Sequence, residues 1–279
     1  MKLFTRINVE PLQDRFTLSD RIMILGSCFA DSVGARMSSA GFDICINPFG
    51  TLYNPASILE AVRMLDSSEL FGPSDCVPMG AGAGRICSFR HHTSFARTTA
   101  EEFLQNANDK LLQARDFWKD CDRLIITLGT SFAWYHDGIV VANCLKRPAA
   151  EFSRRMLTVE ESAGCLQAIT SAHPEKKLLL TVSPIRHLSD GAHSNSISKA
   201  RLLLAADSVE AAYFPAYELQ LDELRDYRFY AEDLVHPSPV AIDYIWERFL
   251  ESCVSPADLD RIAANEKAAR QSAHRPNLT

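Results

Sequence analysis

The sequence lacks three patterns that would place it in a familiar class. None of its eight cysteines belongs to a C-x-x-C pair, which argues against a zinc ribbon or a thioredoxin-type redox centre. No segment approaches the roughly 18 apolar residues of a membrane span, and the first residues lack the apolar run of a signal peptide. Basic residues (29) are fewer than acidic ones (35), which argues against a chain-wide attraction to nucleic acid or anionic lipid. We therefore expect a cytoplasmic protein with reduced thiols and no metal site, cofactor, nucleic-acid partner or membrane span.

What is present is the composition of a globular domain. The chain has 279 residues, of which 47 % are hydrophobic and 23 % charged, which excludes disordered, collagen-like and coiled-coil classes. This length is ordinary for a single α/β domain. We predict one domain over residues 1–254 and a helical tail over residues 255–279, which could dock on the domain or on a partner.

Short apolar runs alternate with amphipathic stretches along the chain. Five runs predict strands, at residues 22–25, 44–46, 124–128, 178–182 and 212–214. Strands that alternate with helices lie parallel, and the helices cover the faces of the sheet. The sequence therefore predicts an α/β fold, a three-layer sandwich with a mainly parallel five-stranded sheet.

Four helices have clear N-terminal signals, in which a capping residue precedes a stripe of apolar residues. They are predicted over residues 55–66, 100–119 and 159–172, and from residue 239 onward. Residues 67–98 do not fit the alternation, because they contain two prolines and a glycine run at Gly80, Gly82 and Gly84. That run precedes a strand-like segment instead of opening a helix, so we predict an insertion or hairpin and no dinucleotide site.

Two distant segments carry candidate chemistry. Ser27 lies where the first strand is predicted to pass into a helix, at the sheet edge where open α/β sheets bind ligands. Asp233 and His236 stand three positions apart just before the last predicted helix. A serine hydroxyl becomes nucleophilic when an imidazole takes its proton and a carboxylate orients that imidazole. These residues therefore predict a Ser27–His236–Asp233 triad.

Two alternatives exist to Ser27 as the nucleophile. Ser27 could simply cap the helix, since serine is a favoured N-cap residue. Cys28 could be the nucleophile, because a thiol at a helix N-terminus has a lowered pKa. Because neighbouring side chains along a turn point in different directions, Cys28 is expected to point elsewhere if Ser27 faces the site, and we predict Ser27 as the nucleophile.

Residues 26–30 spell the signature of the GSCFA family, and several other segments also resemble that family. The others are residues 47–55, 128–131, 152–155, 183–187 and 229–238. The resemblance covers most of the chain from Phe4 to about Cys253, and this family is in turn similar to the SGNH or GDSL hydrolases, serine esterases and lipases of flavodoxin-like α/β fold. The resemblance implies Ser27 as nucleophile, His236 as base and Asp233 as its partner.

The resemblance to SGNH enzymes is less complete at the residues that form the oxyanion hole. In SGNH enzymes the nucleophile's own N–H, a glycine after the second strand and an asparagine after the third form this hole. Gly50 takes the place of the glycine, although it has an equally good explanation as a turn former, and position 131 is serine. Loss of one such donor typically costs roughly a hundred- to a thousand-fold in rate. We expect Ser131 to compensate, with Asn143, a turn residue by its surroundings, as the second candidate.

The remaining candidates concern the substrate. Arg186 and His187 follow the fourth predicted strand and could bind a carboxylate, a phosphate or a sugar hydroxyl. Trp134 and Tyr135 could form an apolar or sugar-stacking wall, or belong to the core. The expected function is hydrolysis of an ester, with O-acyl groups on a carbohydrate or another small metabolite as the expected substrate. An acyltransferase with the same triad and a binding protein without turnover are the alternatives, the latter because of the missing asparagine.

Overall fold

The structure is a computed structural model that describes residues 5–82 and 84–273. Its strands are β1 (Arg21–Gly26), β2 (Asp43–Ile46), β3 (Val77–Pro78), β4 (Ile86–Cys87), β5 (Arg123–Leu128), β6 (Phe132–His136), β7 (Ile139–Val141), β8 (Phe152–Met156), β9 (Lys177–Val182) and β10 (Ala212–Tyr213). Its helices are α1 (Cys28–Ala40), α2 (Pro55–Asp66), α3 (Ala100–Lys119), α4 (Val159–Ala172), α5 (Ala192–Asp207), α6 (Ala216–Glu218), α7 (Pro239–Cys253) and α8 (Leu259–Ala273).

Five of these strands form a parallel sheet in the order β2-β1-β5-β9-β10. After β1 the chain continues to β2, on the side of β1 away from β5. After β5 it continues to β9, on the side of β5 away from β1, so the strand order reverses between β1 and β5. Ligands of open α/β sheets bind outside the carboxyl ends of the strands at such a reversal. The turn after β1 and the loop after β5 flank this position.

Helices cover both faces of the parallel sheet. On one face α2, α3, α4 and α5 bury Ile58, Phe103, Leu166 and Leu202 against alternate residues of the strands. On the other face α1 and α7 bury Met37 and Phe249, among others. Because alternate strand residues point to opposite faces, the apolar runs of the sheet supply both cores. The predicted α/β three-layer arrangement is confirmed.

Two small antiparallel sheets lie outside this pattern. Within the predicted insertion, β3 and β4 pair as a two-residue ladder. The strands β6, β7 and β8 form a three-stranded sheet in the order β7-β6-β8, which the sequence reasoning did not foresee. This second sheet brings Arg154 of β8 to the ligand-binding edge of the main sheet.

The C-terminal helix α8 docks on α1. Ile262 is buried among core residues, and the side-chain amide of Asn265 donates to the carbonyl oxygen of Ala40 (2.8 Å). This contact lies at the end of α1 opposite Cys28, and α8 is therefore remote from the edge of the sheet where the site forms.

Within residues 5–82 and 84–273, no helix is both long enough and apolar enough to cross a membrane. In the same part of the chain, no group of three or more histidine, cysteine, aspartate or glutamate side chains is arranged to hold a metal ion.

Candidate active site

The turn between β1 and α1 is fixed by contacts to two neighbouring segments. Gly26 has φ +146°, and a Cβ atom added there would lie 2.2 Å from the carbonyl oxygen of Thr127 on β5. Only glycine allows so close an approach. The N–H of Gly26 donates to Oδ1 of Asn47 (2.9 Å), and the amide nitrogen of Asn47 donates to Asp31 on α1 (2.7 Å). The start of α1 is therefore held by both β5 and the loop after β2.

The Ser27 hydroxyl is buried inside this turn. The residue is only 1 % exposed, and its Oγ lies 3.2 Å from Oγ1 of Thr127 and accepts a hydrogen bond from the N–H of Phe29 (3.3 Å). Ser27 is thus the N-cap of α1. Among the described residues it makes no hydrogen bond to His236, so the structure does not bring the predicted nucleophile and base into contact.

The thiol of Cys28 occupies the position expected of the nucleophile. Its Sγ lies 3.4 Å from Nε2 of His236, and Nδ1 of the same ring lies 2.6 Å from Oδ2 of Asp233. Because an ionised carboxylate can only accept a hydrogen bond, the ring proton resides on Nδ1, and Nε2 is free to take the proton of the thiol. Thiol, imidazole and carboxylate thus contact one another in the order that nucleophilic catalysis requires.

The thiol rests in its protonated form. Burial raises the pKa of Cys28 above its ordinary value, against smaller opposing effects of its own backbone N–H and of the charge on Lys199. Because the thiolate is the reactive form, Cys28 must first give its proton to a base. His236 is in contact with it and can serve as that base.

Asp233 organises the segment that carries His236. Its Oδ1 accepts hydrogen bonds from the backbone N–H groups of His236 (3.0 Å) and Val235 (2.9 Å). These two bonds and the ring contact lower the pKa of Asp233 to about 2, so the carboxylate is ionised at neutral pH. Arg186 holds the segment from outside, since its N–H donates to the Val235 carbonyl (3.1 Å) and its guanidinium to the Leu234 carbonyl (3.3 Å).

A pocket of about 420 Å³ opens beside Cys28 and His236. It is lined by residues 27–28, 53, 129–130, 154, 183, 185–190 and 235–236. Most of these residues follow the carboxyl ends of β1, β5 and β9, where the strand order of the sheet reverses. The pocket has the size of a site for a small molecule.

Both substrate-binding candidates from the sequence, Arg186 and His187, line this pocket. The ring nitrogens of His187 are buried without a hydrogen-bond partner among the described residues, although Nδ1 lies 3.4 Å from Oδ2 of Asp190. Burial lowers the pKa of His187, so its ring is neutral at pH 7. Arg154 was not among the predicted site residues, and its guanidinium binds both carboxylate oxygens of Asp190 (2.5 and 2.8 Å).

The three predicted oxyanion donors do not line the pocket. The N–H of Gly50 donates to the carbonyl of Asn47 (2.7 Å) within a turn, where Gly50 has φ +77°. Ser131 is fully buried behind the site, and its N–H donates to Oγ of Ser198 (2.8 Å). Oδ1 of Asn143 accepts from the backbone N–H two residues later (2.7 Å). Gly50 and Asn143 thus take part in local turns, as their structural alternatives predicted, whereas the Ser131 hydroxyl is buried without a hydrogen-bond partner among the described residues.

Trp134 and Tyr135 also lie outside the pocket lining. They are successive residues of β6, and the guanidinium groups of Arg154 and Arg155 lie 5.0 and 5.2 Å from their respective ring centroids. Such cation–π contacts add to the stability of the three-stranded sheet. The structure gives these two aromatic side chains a packing role.

Lys199 is the functional candidate that sequence reasoning missed. It is only 1 % exposed, and its Nζ donates to the carbonyls of Gly129 (2.6 Å) and Ser183 (2.7 Å), which both belong to residues that line the pocket. Burial lowers the pKa of this amine to about 7. A signal for it existed, because Lys199 shares the buried face of α5 with Leu202 at helical spacing.

Comparison with protein families gives a match that spans both parts of this site. The model of the GSCFA family matches residues 21–249, from the start of β1 into α7. That range includes the whole parallel sheet, the turn with Cys28, and the segment with Asp233 and His236. No curated protein matches the sequence.

Proposed function

The chain belongs to the GSCFA family, and we propose that it is an acyl hydrolase that cleaves an ester bond with Cys28 as nucleophile, His236 as base and Asp233 as orienting carboxylate. The observation that carries the proposal is the contact of Cys28 Sγ with His236 Nε2 at 3.4 Å, together with that of His236 Nδ1 with Asp233 at 2.6 Å. Nucleophile, base and orienting group within hydrogen-bond reach are the signature of nucleophilic catalysis.

The reaction takes two steps. His236 accepts the thiol proton, and the thiolate attacks the carbonyl carbon of the ester, which gives a tetrahedral oxyanion. The oxyanion collapses to a thioester on Cys28, and the alcohol leaves with the proton from His236. Water then attacks the thioester while His236 takes a water proton, and the carboxylic acid and the free thiol are released. Asp233 stabilises the imidazolium formed in each step, because it is ionised at neutral pH.

The start of α1 supports the oxyanion. The backbone N–H of Cys28 has no acceptor among the described residues and stands in the first turn of the helix, where N–H groups lack intrahelical partners. The helix dipole adds positive potential at the same place. This N–H takes over part of the task that the sequence suggested for Gly50 and Ser131.

Cys28 is favoured over Ser27 by what each side chain contacts. The Ser27 hydroxyl caps α1 and bonds to Thr127, so an attack through Ser27 would require it to leave both partners. Similarity to SGNH hydrolases is part of this proposal, since their nucleophile also follows the first strand. In this chain we place the nucleophile one residue later than the resemblance suggested.

The substrate is proposed to be a small acylated metabolite or an acylated sugar unit. The pocket volume of about 420 Å³ accommodates such a molecule. Tyr53, Thr130 and Arg186 line the pocket beside Cys28, and each of these polar residues is at least partly exposed. They offer hydrogen-bonding partners for a polar substrate.

Replacement of the two candidate nucleophiles tests the proposal. We expect Cys28→Ala to lower kcat/KM on short-chain esters by about a thousand-fold or more. Ser27→Ala should keep turnover within about ten-fold and cost about 1 kcal/mol of unfolding free energy through the lost helix cap. Alkylation of Cys28 by iodoacetamide should still accelerate above pH 9, since burial raises the pKa of the thiol and only the thiolate reacts.

Three outcomes would contradict the assignment. Loss of activity in Ser27→Ala with full activity in Cys28→Ala, together with fluorophosphonate labelling of the wild type, would make Ser27 the nucleophile. No turnover of a panel of acetyl and short-chain esters by the wild type would favour a binding protein. Transfer to an added sugar or alcohol in preference to water would make the protein an acyltransferase with the same triad.

A further inference from the structure

The charged groups around the pocket are unequally paired. The guanidinium of Arg154 is neutralised by the two oxygens of Asp190, and His236 is paired with Asp233. Arg186 also lines the pocket, but no carboxylate lies within 4.0 Å of it in the part of the chain that the structure describes. Arg186 is therefore a cationic group of the pocket wall that pairs with no carboxylate of the described residues.

The guanidinium of Arg186 has donors to spare. Within residues 5–82 and 84–273 its single hydrogen bond is the one to the Leu234 carbonyl (3.3 Å), and its centre lies 5.6 Å from the Tyr230 ring centroid. A guanidinium has five N–H donors in a planar arrangement that matches a carboxylate or a phosphate. Most of these donors are thus available to a ligand.

A second feature adds to the positive potential of the same pocket. The amine of Lys199 lies directly beneath the floor, bonded to the carbonyls of Gly129 and Ser183. No carboxylate of the described residues pairs with it. Arg186 thus lines the wall of the pocket and Lys199 lies behind its floor, and neither has an acidic partner among the described residues.

The position of Arg186 relative to His236 indicates which half of the substrate it would meet. In the proposed mechanism His236 gives its proton to the departing alcohol, so this alcohol lies on the side of the pocket nearest His236. Arg186 is bonded to the backbone of Leu234 and Val235, the two residues that precede His236. Its free donors therefore lie on the leaving-group side.

From this geometry we infer that the pocket selects esters whose alcohol half carries an anionic group, a carboxylate or a phosphate, and that Arg186 binds this group. The inference depends on the proposed function for the choice of the alcohol half. The presence of an anion-binding Arg186 in the pocket does not depend on it.

Paired substrates that differ in charge test the inference. 3-Acetoxybenzoate and 3-acetoxyphenyl phosphate carry an anionic alcohol half, and 3-acetoxybenzamide is the neutral match of the benzoate. We expect a higher kcat/KM for at least one anionic ester than for the amide. Arg186→Gln should lower this preference about ten- to a hundred-fold, because it removes a charge-assisted contact. Arg186→Lys should restore part of it, and the two anionic esters tell a carboxylate site from a phosphate site.

Arg261→Gln is the matched control. It removes the same charge from the exposed surface of α8, which docks at the far end of α1, and should leave the preference unchanged. Equal kcat/KM for anionic and neutral esters in the wild type would overturn the inference. So would a preference that survives Arg186→Gln undiminished.

Binding without turnover separates the inference from the proposed mechanism. The amide analogues 3-acetamidobenzoate and 3-acetamidobenzamide are to be titrated calorimetrically into Cys28→Ala. Tighter binding of the benzoate, weakened by a further Arg186→Gln change, supports the anion site even if no ester is hydrolysed. Equal binding of both analogues contradicts the anion site whatever the mechanism proves to be.

Discussion

The two parts of the candidate site are built in different ways. Cys28 belongs to a turn whose neighbour Ser27 is only 1 % exposed, and this turn is held by β5, Asn47 and α1. Asp233 and His236 lie on an irregular segment where their side chains are 50 % and 46 % exposed. The first part is fixed by contacts between residues far apart in sequence. The second is fixed mainly by one carboxylate that bonds to its own segment.

This difference separates the effects of mutation. Changes in the turn disturb the packing of two central strands, so they act on the stability of the whole domain. Changes in the exposed segment leave the cores intact and act on the position and charge of the imidazole. The comparison predicts that a variant at the tightest contact of the turn, Gly26, loses stability, whereas variants in the exposed segment keep their stability and lose rate.

The largest expected effect is on rate, in the exposed segment. His236→Ala removes the proposed base and should lower kcat/KM by about ten-thousand-fold with little change in unfolding free energy. Asp233→Asn should cost less, about a hundred- to a thousand-fold, because its Oδ1 can still accept the two backbone hydrogen bonds while the stabilising charge is gone.

A neighbouring acidic residue provides the control for these two variants. Glu232 is exposed and next to Asp233 in sequence, so Glu232→Gln removes a charge of the same sign without touching the ring. Its kcat/KM should stay within about two-fold of the wild type. A greater loss in Asp233→Asn than in His236→Ala would mean that the roles of base and orienting group have been exchanged.

The next effect is on stability, in the buried turn. Gly26→Ala places a Cβ atom 2.2 Å from the Thr127 carbonyl at a φ of +146°, and we expect a loss of about 3 kcal/mol or more in unfolding free energy. Gly164→Ala is the matched control, since Gly164 is an exposed position of α4 with no atom within 4 Å of the added methyl group. This control should gain about 0.5–1 kcal/mol. Equal unfolding midpoints in urea for the two variants would show that the turn is not rigid.

The same division explains what could be predicted from the sequence. The helices at residues 55–66, 100–119 and 159–172 match the structure at both ends, because caps and capping boxes are local signals. The Asp233 and His236 pair was found for the same reason, since a segment of four residues contains the whole contact.

The arrangement of the buried turn could not be predicted from such local signals. Whether Ser27 or Cys28 faces His236 depends on how the turn is rotated, and contacts of Gly26 with Thr127 and Asn47 fix that rotation. These contacts join residues about twenty to a hundred positions apart. Gly50 and Ser131 also lie outside the pocket, because the N–H of Gly50 closes a local turn with Asn47 and the N–H of Ser131 bonds to Ser198 on α5.

The smallest expected effect concerns the backbone of the exposed segment. Leu234 has φ +55°, a left-handed conformation that costs a leucine about 1 kcal/mol and that asparagine tolerates better. Its side chain is 46 % exposed, and its carbonyl would still accept from Arg186 after substitution. Leu234→Asn should therefore raise the unfolding free energy by up to about 1 kcal/mol. Leu112→Asn makes the same change at a similarly exposed position (52 %) of α3, where asparagine is a poor helix former, and should lower it by about 0.5 kcal/mol. Opposite signs in urea denaturation would confirm that the segment holds its shape against backbone strain, and a loss of stability in both variants would show that the Leu234 side chain contributes packing that outweighs this strain.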